Sequence, residues 1–266
     1  LLICGLAGCK GSTADSEKSS AKICTSSPYL QAAMNDLLGM NNEVSSMLSL
    51  AGAGMCPGHM DLRPSQIQMA GKSQVFIRFD FQSGLDDKLF TSLKSRPKVK
   101  PINVEGGLCN PQSYINVCSQ ITNILINEKY SSKIEIKERF SEIRLRLVDL
   151  DRDIHKQIST SELVKHPILT SPHQADFCRY LGFNVLETFT SEEDMSVKQI
   201  DNLVTKARNA GVSLIVANAP EGRKMADVLA SYLGARVVVL DNFPDAQTVN
   251  AFDVLVRENV RRLMEK

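Results

Sequence analysis

The chain has 266 residues, 43% of them hydrophobic and 23% charged, with a formal net charge of +1. That balance leaves no electrostatic footprint for nucleic acid or for an anionic membrane surface, so neither is an expected partner. No run of about 18 apolar residues occurs, so no complete membrane-spanning helix is expected.

The first nine residues, Leu1-Leu2-Ile3-Cys4-Gly5-Leu6-Ala7-Gly8-Cys9, read as the end of an apolar export signal. Leu6-Ala7-Gly8-Cys9 matches the pattern at which bacterial lipoprotein precursors are cut and lipidated, which makes Cys9 the expected lipid attachment. Positions 10–22 are rich in Ser, Lys, Gly and Ala, as a flexible tether is. An ordinary buried first strand is the alternative. The tethered reading puts the protein in the periplasm or on the cell surface, held to the membrane by lipid alone. Beyond Cys4 and Cys9, five cysteines remain: Cys24, Cys56, Cys109, Cys118 and Cys178. The odd number leaves at least one thiol free, and no CxxC spacing marks a zinc ribbon or a redox motif.

From position 21 the chain alternates short apolar runs with helical stretches. Strands are expected at Ala21–Ser26, Val44–Leu50, Gln74–Phe79 and Val99–Val104. Helices are expected at Pro28–Leu38, after Pro64, at Leu85–Leu93, and after Asn110-Pro111. Ile136, Phe140, Ile143, Leu147, Leu150, Ile154 and Ile158 then recur at spacings of three and four, an apolar stripe over about six helical turns. Beyond Lys165 the alternation resumes. Pro167–Thr170, Val185–Phe189, Val212–Asn218 and Arg236–Asp241 read as strands; Ala175–Tyr180, Val197–Arg208, Lys224–Leu233 and Ala246–Glu265 read as helices.

The implied fold class is α/β: two lobes of mostly parallel sheet, at 23–130 and 161–266, joined by a rigid spine helix at 131–160. Ligands of such sheets sit beyond the carboxyl ends of the strands. The expected site is therefore a cleft edged by Met55–Asp61, Arg78–Phe81, Glu105–Asn110, Ser171–His173, Asn218–Pro220 and Asp241–Pro244.

Several segments resemble the zinc- and manganese-type solute-binding proteins of ABC importers. They are Pro57-Gly58-His59-Met60-Asp61-Leu62-Arg63-Pro64, Leu85-Asp86-Asp87-Lys88-Leu89, Asn110-Pro111, Phe177-Cys178-Arg179-Tyr180-Leu181-Gly182, Val212 to Pro220 and Leu233 to Asp241. The resemblance runs in consistent order over about residues 21–265. It implies a receptor rather than an enzyme, a monomer, and an importer permease as partner. It also implies a transition-metal ion, zinc first, held in the cleft by histidines and carboxylates.

The implied ligand set is incomplete here. Asp241 matches the carboxylate. The three family histidines fall on Gly58, Gly106 and near Ser171, and Asn218 stands where some members carry a carboxylate. One reading keeps a metal on a shifted set, His59 and Asp241 with His173 and Cys56 or Cys109, where a thiolate favours a softer ion. Cys56 and His59 are three residues apart in one loop, close enough to chelate. The other reading takes the missing imidazoles as room for a larger organic or metal-chelate solute, gripped by Arg78, Phe79, Phe81, Asn110 and Asn218. A surface adhesin is a third possibility, which a filled cleft would favour.

Plainer roles are expected elsewhere. His155 lies among charged residues on the spine helix and reads as a solvated face. His166, before Pro167, reads as structural. Cys24, Cys118 and Cys178 read as core, and Met55 and Met60 as gap fillers or soft-metal contacts. No GxSxG, HExxH, phosphate-loop or GxGxxG motif is present, so no enzyme class is indicated.

Overall fold

The computed structural model describes residues 23–39, 48–50, 63–91 and 96–265. Cys9, the tether, and the loop carrying Met55, Cys56, His59 and Met60 lie outside the described residues. The first lobe is a parallel sheet in the order β2-β1-β3-β4, formed by β1 (Ile23–Thr25), β2 (Leu48–Ser49), β3 (Val75–Phe79) and β4 (Lys98–Ile102). The second is a parallel sheet in the order β6-β5-β7-β8, formed by β5 (Pro167–Thr170), β6 (Asn184–Thr188), β7 (Leu214–Asn218) and β8 (Arg236–Leu240).

Helix starts follow the chain's own punctuation. In α1 (Pro28–Leu38), α4 (Pro111–Asn127) and α6 (Pro172–Tyr180), a Ser or Asn precedes a proline in the first turn, where the missing N–H costs nothing. Ser27 and Asn110 also accept a hydrogen bond from a backbone N–H of the first turn of their helices. Helix α6 therefore begins at Pro172, three residues before the expected Ala175. Helices α2 (Pro64–Lys72) and α3 (Gly84–Phe90) complete the first lobe. In the second, α7 (Val197–Ala210) ends at Gly211 and α8 (Lys224–Leu233) at Gly234; both glycines are left-handed.

The spine is α5 (Lys133–Ser159), 27 residues and so about 40 Å long. Ile136, Ile143, Leu147, Leu150, Ile154 and Ile158 are buried, as their spacing requires, and the helix packs on α1, α4 and α9 (Ala251–Met264). Helix α9 starts five residues later than expected. Pro244 and Asp245 make a turn first, with Asp245 accepting from the Gln247 N–H. His155 does more than face solvent: its ring nitrogens contact the Asp151 and Tyr180 carbonyls at 2.9 and 3.2 Å, tying α5 to the end of α6.

One apolar core runs through both lobes, from Ile23 and Tyr29 to Phe252 and Leu263. At its centre Tyr114 of α4 stacks on Phe252 of α9, ring centroids 4.1 Å apart, and Tyr29 of α1 meets both edge-on. Beside this trio Arg146 of α5 reaches Asp36 of α1 at 2.7 Å and Asp253 of α9 at 3.2 Å. Among the described residues, no helix is long and apolar enough to cross a membrane.

Candidate functional site

The carboxyl end of β8 meets the first lobe at the loop before α4. Asp241 follows β8. Its Oδ1 accepts from the Asn242 and Phe243 backbone N–H groups at 2.8 and 3.2 Å, an Asx turn that fixes the carboxylate at the strand end. The Asp241 backbone is clamped as well. Its N–H donates to Asn259 Oδ1, and its carbonyl accepts from Asn259 Nδ2 at 2.8 Å and from the Cys109 thiol at 3.2 Å. Cys109 belongs to the first lobe, so this last bond crosses the boundary.

Behind Asp241 lies a cluster of buried amides. Gln174 Nε2 donates to Asn218 Oδ1 and Asn242 Oδ1 at 3.1 and 3.0 Å, and Asn242 Nδ2 donates to Asn218 Oδ1 at 2.9 Å. These neutral groups are buried together with Asn259. They hydrogen-bond to one another, where isolated amides would each cost about 1–3 kcal/mol, but Gln174 Oε1 is left without a partner among the described residues. Asn242 lies in the expected Asp241–Pro244 edge of the cleft, whereas Gln174 and Asn259 were not foreseen from sequence. Single amides carry no spacing signal; the one available hint was two polar residues in succession, Asp241 and Asn242, closing an apolar strand.

Cys109 does not present a ligand thiolate here. Burial pushes its thiol up, the nearby Asp241 carboxylate adds to the effect, and the Asn259 hydrogen bond offsets only part of it. Gly106 and Gly107 explain the absent second histidine. Both have positive φ, +77° and +85°, and a Cβ on Gly107 would stand 3.1 Å from the Asp176 Cβ of α6. An imidazole at Gly106 would need another backbone conformation.

The other expected residues separate into distinct surroundings. Arg78 and Phe79 are the last residues of β3, as the expected strand Gln74–Phe79 has them. Arg78 is buried and committed inside the first lobe: its Nε and Nη2 grip both oxygens of Asp86 at 2.7 Å, and Nη1 donates to the Phe79 and Asp80 carbonyls. It is not offered to a solute. Phe79 is fully buried, while exposed Phe81 stacks over it with centroids 5.1 Å apart. Asn110 caps α4 through its side-chain oxygen.

His173, in the first turn of α6, pairs with Glu221 at 3.0 Å rather than with Asp241 or Cys109. Glu221 borders a hollow of about 310 Å³ beyond the ends of β5, β6 and β7, lined also by Ser171, Asn218 and Lys224 among others. The Glu221 hydrogen bond raises His173 above the ordinary imidazole range against an opposing effect of burial. Burial pushes Glu221 up, but His173, with Asn218 and Ser171 close by, outweighs it and holds the carboxyl below its ordinary value. Among the described residues no group of three His, Cys, Asp or Glu side chains is placed to hold a metal ion.

Comparison with known proteins agrees with this architecture. Solved structures share the fold at low identity. A crystal structure of ZnuA is 14% identical over 90% of this chain and 97% of its own, with a TM-score of 0.70. A mutant of the laminin-binding adhesin Lmb from Streptococcus agalactiae is 14% identical over 91% and 98%, with a TM-score of 0.73. The FpvC binding protein of Pseudomonas aeruginosa, in complex with a nickel ion, is 13% identical over 91% and 94%, with a TM-score of 0.74. No curated protein matches the sequence at a significant level. The family model described as ZnuA, zinc-uptake complex component A, periplasmic, matches residues 23–266. The chain therefore belongs to the ZnuA family of periplasmic binding proteins, which are transport receptors rather than enzymes.

Proposed function

We propose that the protein is the extracytoplasmic receptor of an ABC importer, lipid-anchored through Cys9, which captures a transition-metal ion between its lobes and delivers it to the permease. Zinc is the first candidate. The observation that carries this reading is the position of Asp241: a carboxylate fixed by its own Asx turn at a strand end, where Cys109 of the other lobe makes contact. The family membership supplies the receptor role, and solved relatives of this fold include zinc-, manganese-, cadmium- and nickel-bound forms. In this reading the ligands are His59 and Asp241, with His173 and Cys56 or Cys109. A neutral imidazole beside a carboxylate suits a borderline ion such as zinc.

A second reading keeps the receptor role and changes the cargo. Glycine at positions 58 and 106 and serine at 171 stand where the resemblance implies imidazoles, beside the neutral amides of Gln174, Asn218 and Asn242. The room left by those side chains suits an organic solute or a metal already held by a chelator. Native mass spectrometry with elemental analysis, on protein purified without chelator, separates the two. One equivalent of transition metal, lost when Asp241 and His59 are each changed to Ala, supports the first. An organic adduct with no stoichiometric metal overturns it.

A further inference from the structure

We propose that Asn259 of α9 is the positioning residue of the Asp241 site: its side-chain amide sets the main chain beneath the cargo carboxylate and so tunes how tightly cargo is held. The inference rests on the reading of Asp241 as a cargo ligand, and adds a residue that acts on cargo only through that ligand.

Strand β8 lies at the edge of its sheet, paired with β7 on one side only. Just past its last residue, the outer edge would present an unpaired N–H and C=O at Asp241. Asn259 supplies both partners. Its Oδ1 accepts from the Asp241 N–H at 3.1 Å, and its Nδ2 donates to the Asp241 carbonyl at 2.8 Å, the exchange that a neighbouring strand residue would make. One helical turn on, Arg262 Nη1 donates to the Val239 carbonyl at 3.2 Å, two residues earlier on the same edge. Helix α9 thus stands in for a missing strand, and its amide takes the place next to the carboxylate.

The chemistry of asparagine suits this task. Asn259 is fully buried, and one planar amide offers an acceptor and two donors from a short arm. The same nitrogen also reaches Cys109 Sγ at 3.5 Å, which references the clamp to the first lobe. Helix α9 packs on both α1 and α5, a platform with little freedom to shift. Among the described residues, the Asp241 carboxylate is held by the main-chain N–H groups of Asn242 and Phe243 alone. Because Asn259 bonds the main chain, it fixes the strand end without occupying or neutralising the carboxylate. Leucine would keep the volume and lose every bond, and serine is too short to bridge both main-chain groups. Groups that orient a metal ligand from behind typically contribute about 10–100-fold to affinity.

The test uses the full chain of the parent, Asn259→Leu, Asn259→Ser and a control, Leu229→Ala, which opens a cavity in the separate core of the second lobe. Circular dichroism confirms that each is folded. Affinity for zinc or manganese chloride is read by competition with a chromogenic chelator. Amide hydrogen exchange is read at Asn242 and Phe243, whose N–H groups report the Asx turn of the carboxylate. The Asn259 variants should bind metal at least tenfold more weakly than the parent, while Leu229→Ala stays within twofold. They should also exchange the two amides at least tenfold faster than Leu229→Ala does. Neither amide bonds to Asn259, so destabilisation alone would not single them out. Asn259 variants that match the control in affinity and exchange overturn the proposal. A parent that takes up neither metal overturns the metal reading separately; the exchange comparison then decides the positioning role by itself, faster exchange supporting it and equal exchange overturning it.

Discussion

The Cys109 thiol of the first lobe donates to the Asp241 main-chain carbonyl of the second at 3.2 Å, and Asn259 closes the triangle by donating to both. Three groups with no formal charge among their bonding atoms thus fix the strand end that carries the candidate ligand. Cys109→Ser keeps a donor and should cost under about 1.5 kcal/mol, whereas Asn259→Leu leaves the Asp241 N–H and carbonyl short of partners and should cost about 2–3 kcal/mol. Urea unfolding checks the order; equal costs would show that the triangle contributes packing alone.

Stacked rings hold the lobes together nearby. Phe252→Ala removes a fully buried ring from between Tyr29 and Tyr114 and should destabilise the protein by about 3–5 kcal/mol. Phe252→Leu should cost less than half as much. Denaturant midpoints for the pair measure the difference.

Arg78 gives a test of what the residue is for. Its guanidinium is buried against Asp86, so Asp86→Ala strips a buried charge of its partner and should cost about 1–3 kcal/mol, discounted because the Asp86 side chain is 30% exposed. Solute affinity of the folded variant should stay within twofold of the parent. A loss of affinity tenfold or greater would return Arg78 to the binding surface.

The His173–Glu221 pair predicts a pH window. His173 is raised, so its contribution to stability is complete below the ordinary imidazole value of 6.5 and fades as pH rises through its higher folded value. Glu221 is lowered, so its contribution is complete above the ordinary carboxylate value of 4.5 and fades as pH falls through its lower folded value. The pair therefore contributes most between pH 4.5 and 6.5. Both groups are more than one-third exposed, so the effect is small, about 0.5 kcal/mol. The stability gap between parent and His173→Ala should peak near pH 5.5 and shrink above pH 8; a gap independent of pH would show that only ring packing was lost.

Among the described residues four cysteines are buried and unpaired: Cys24, Cys109, Cys118 and Cys178. Burial pushes the Cys24 and Cys178 thiols up to about 12, so almost no thiolate exists at pH 8. Peptide mapping after alkylation should find these four unlabelled in native protein and labelled in urea. Rapid native labelling of any of them would place it at the surface.

Much of the fold was legible because its signals are local and repeated. The stripe from Ile136 to Ile158 has one helical solution, and Ser27-Pro28 and Asn110-Pro111 mark helix starts by covalent geometry. The site was less legible because its parts depend on neighbours distant in sequence. Arg78 was read as a solute contact, and only the position of Asp86 shows why it is occupied. Phe79 and Phe81 looked equivalent, but one ends a strand in the core and the other lies over it in solvent. The amides of Gln174, Asn218, Asn242 and Asn259 come from four separate elements, and no linear pattern joins them.

The aromatic trio has a kinetic consequence. Parting the two sheets as rigid bodies would expose Tyr29, Tyr114 and Phe252 to water and separate Arg146 from one of its two carboxylates, a cost of several kcal/mol. Wide clamshell motion is therefore costly, and small local rearrangements at the rim cost less. The continuous core predicts a single cooperative melting transition.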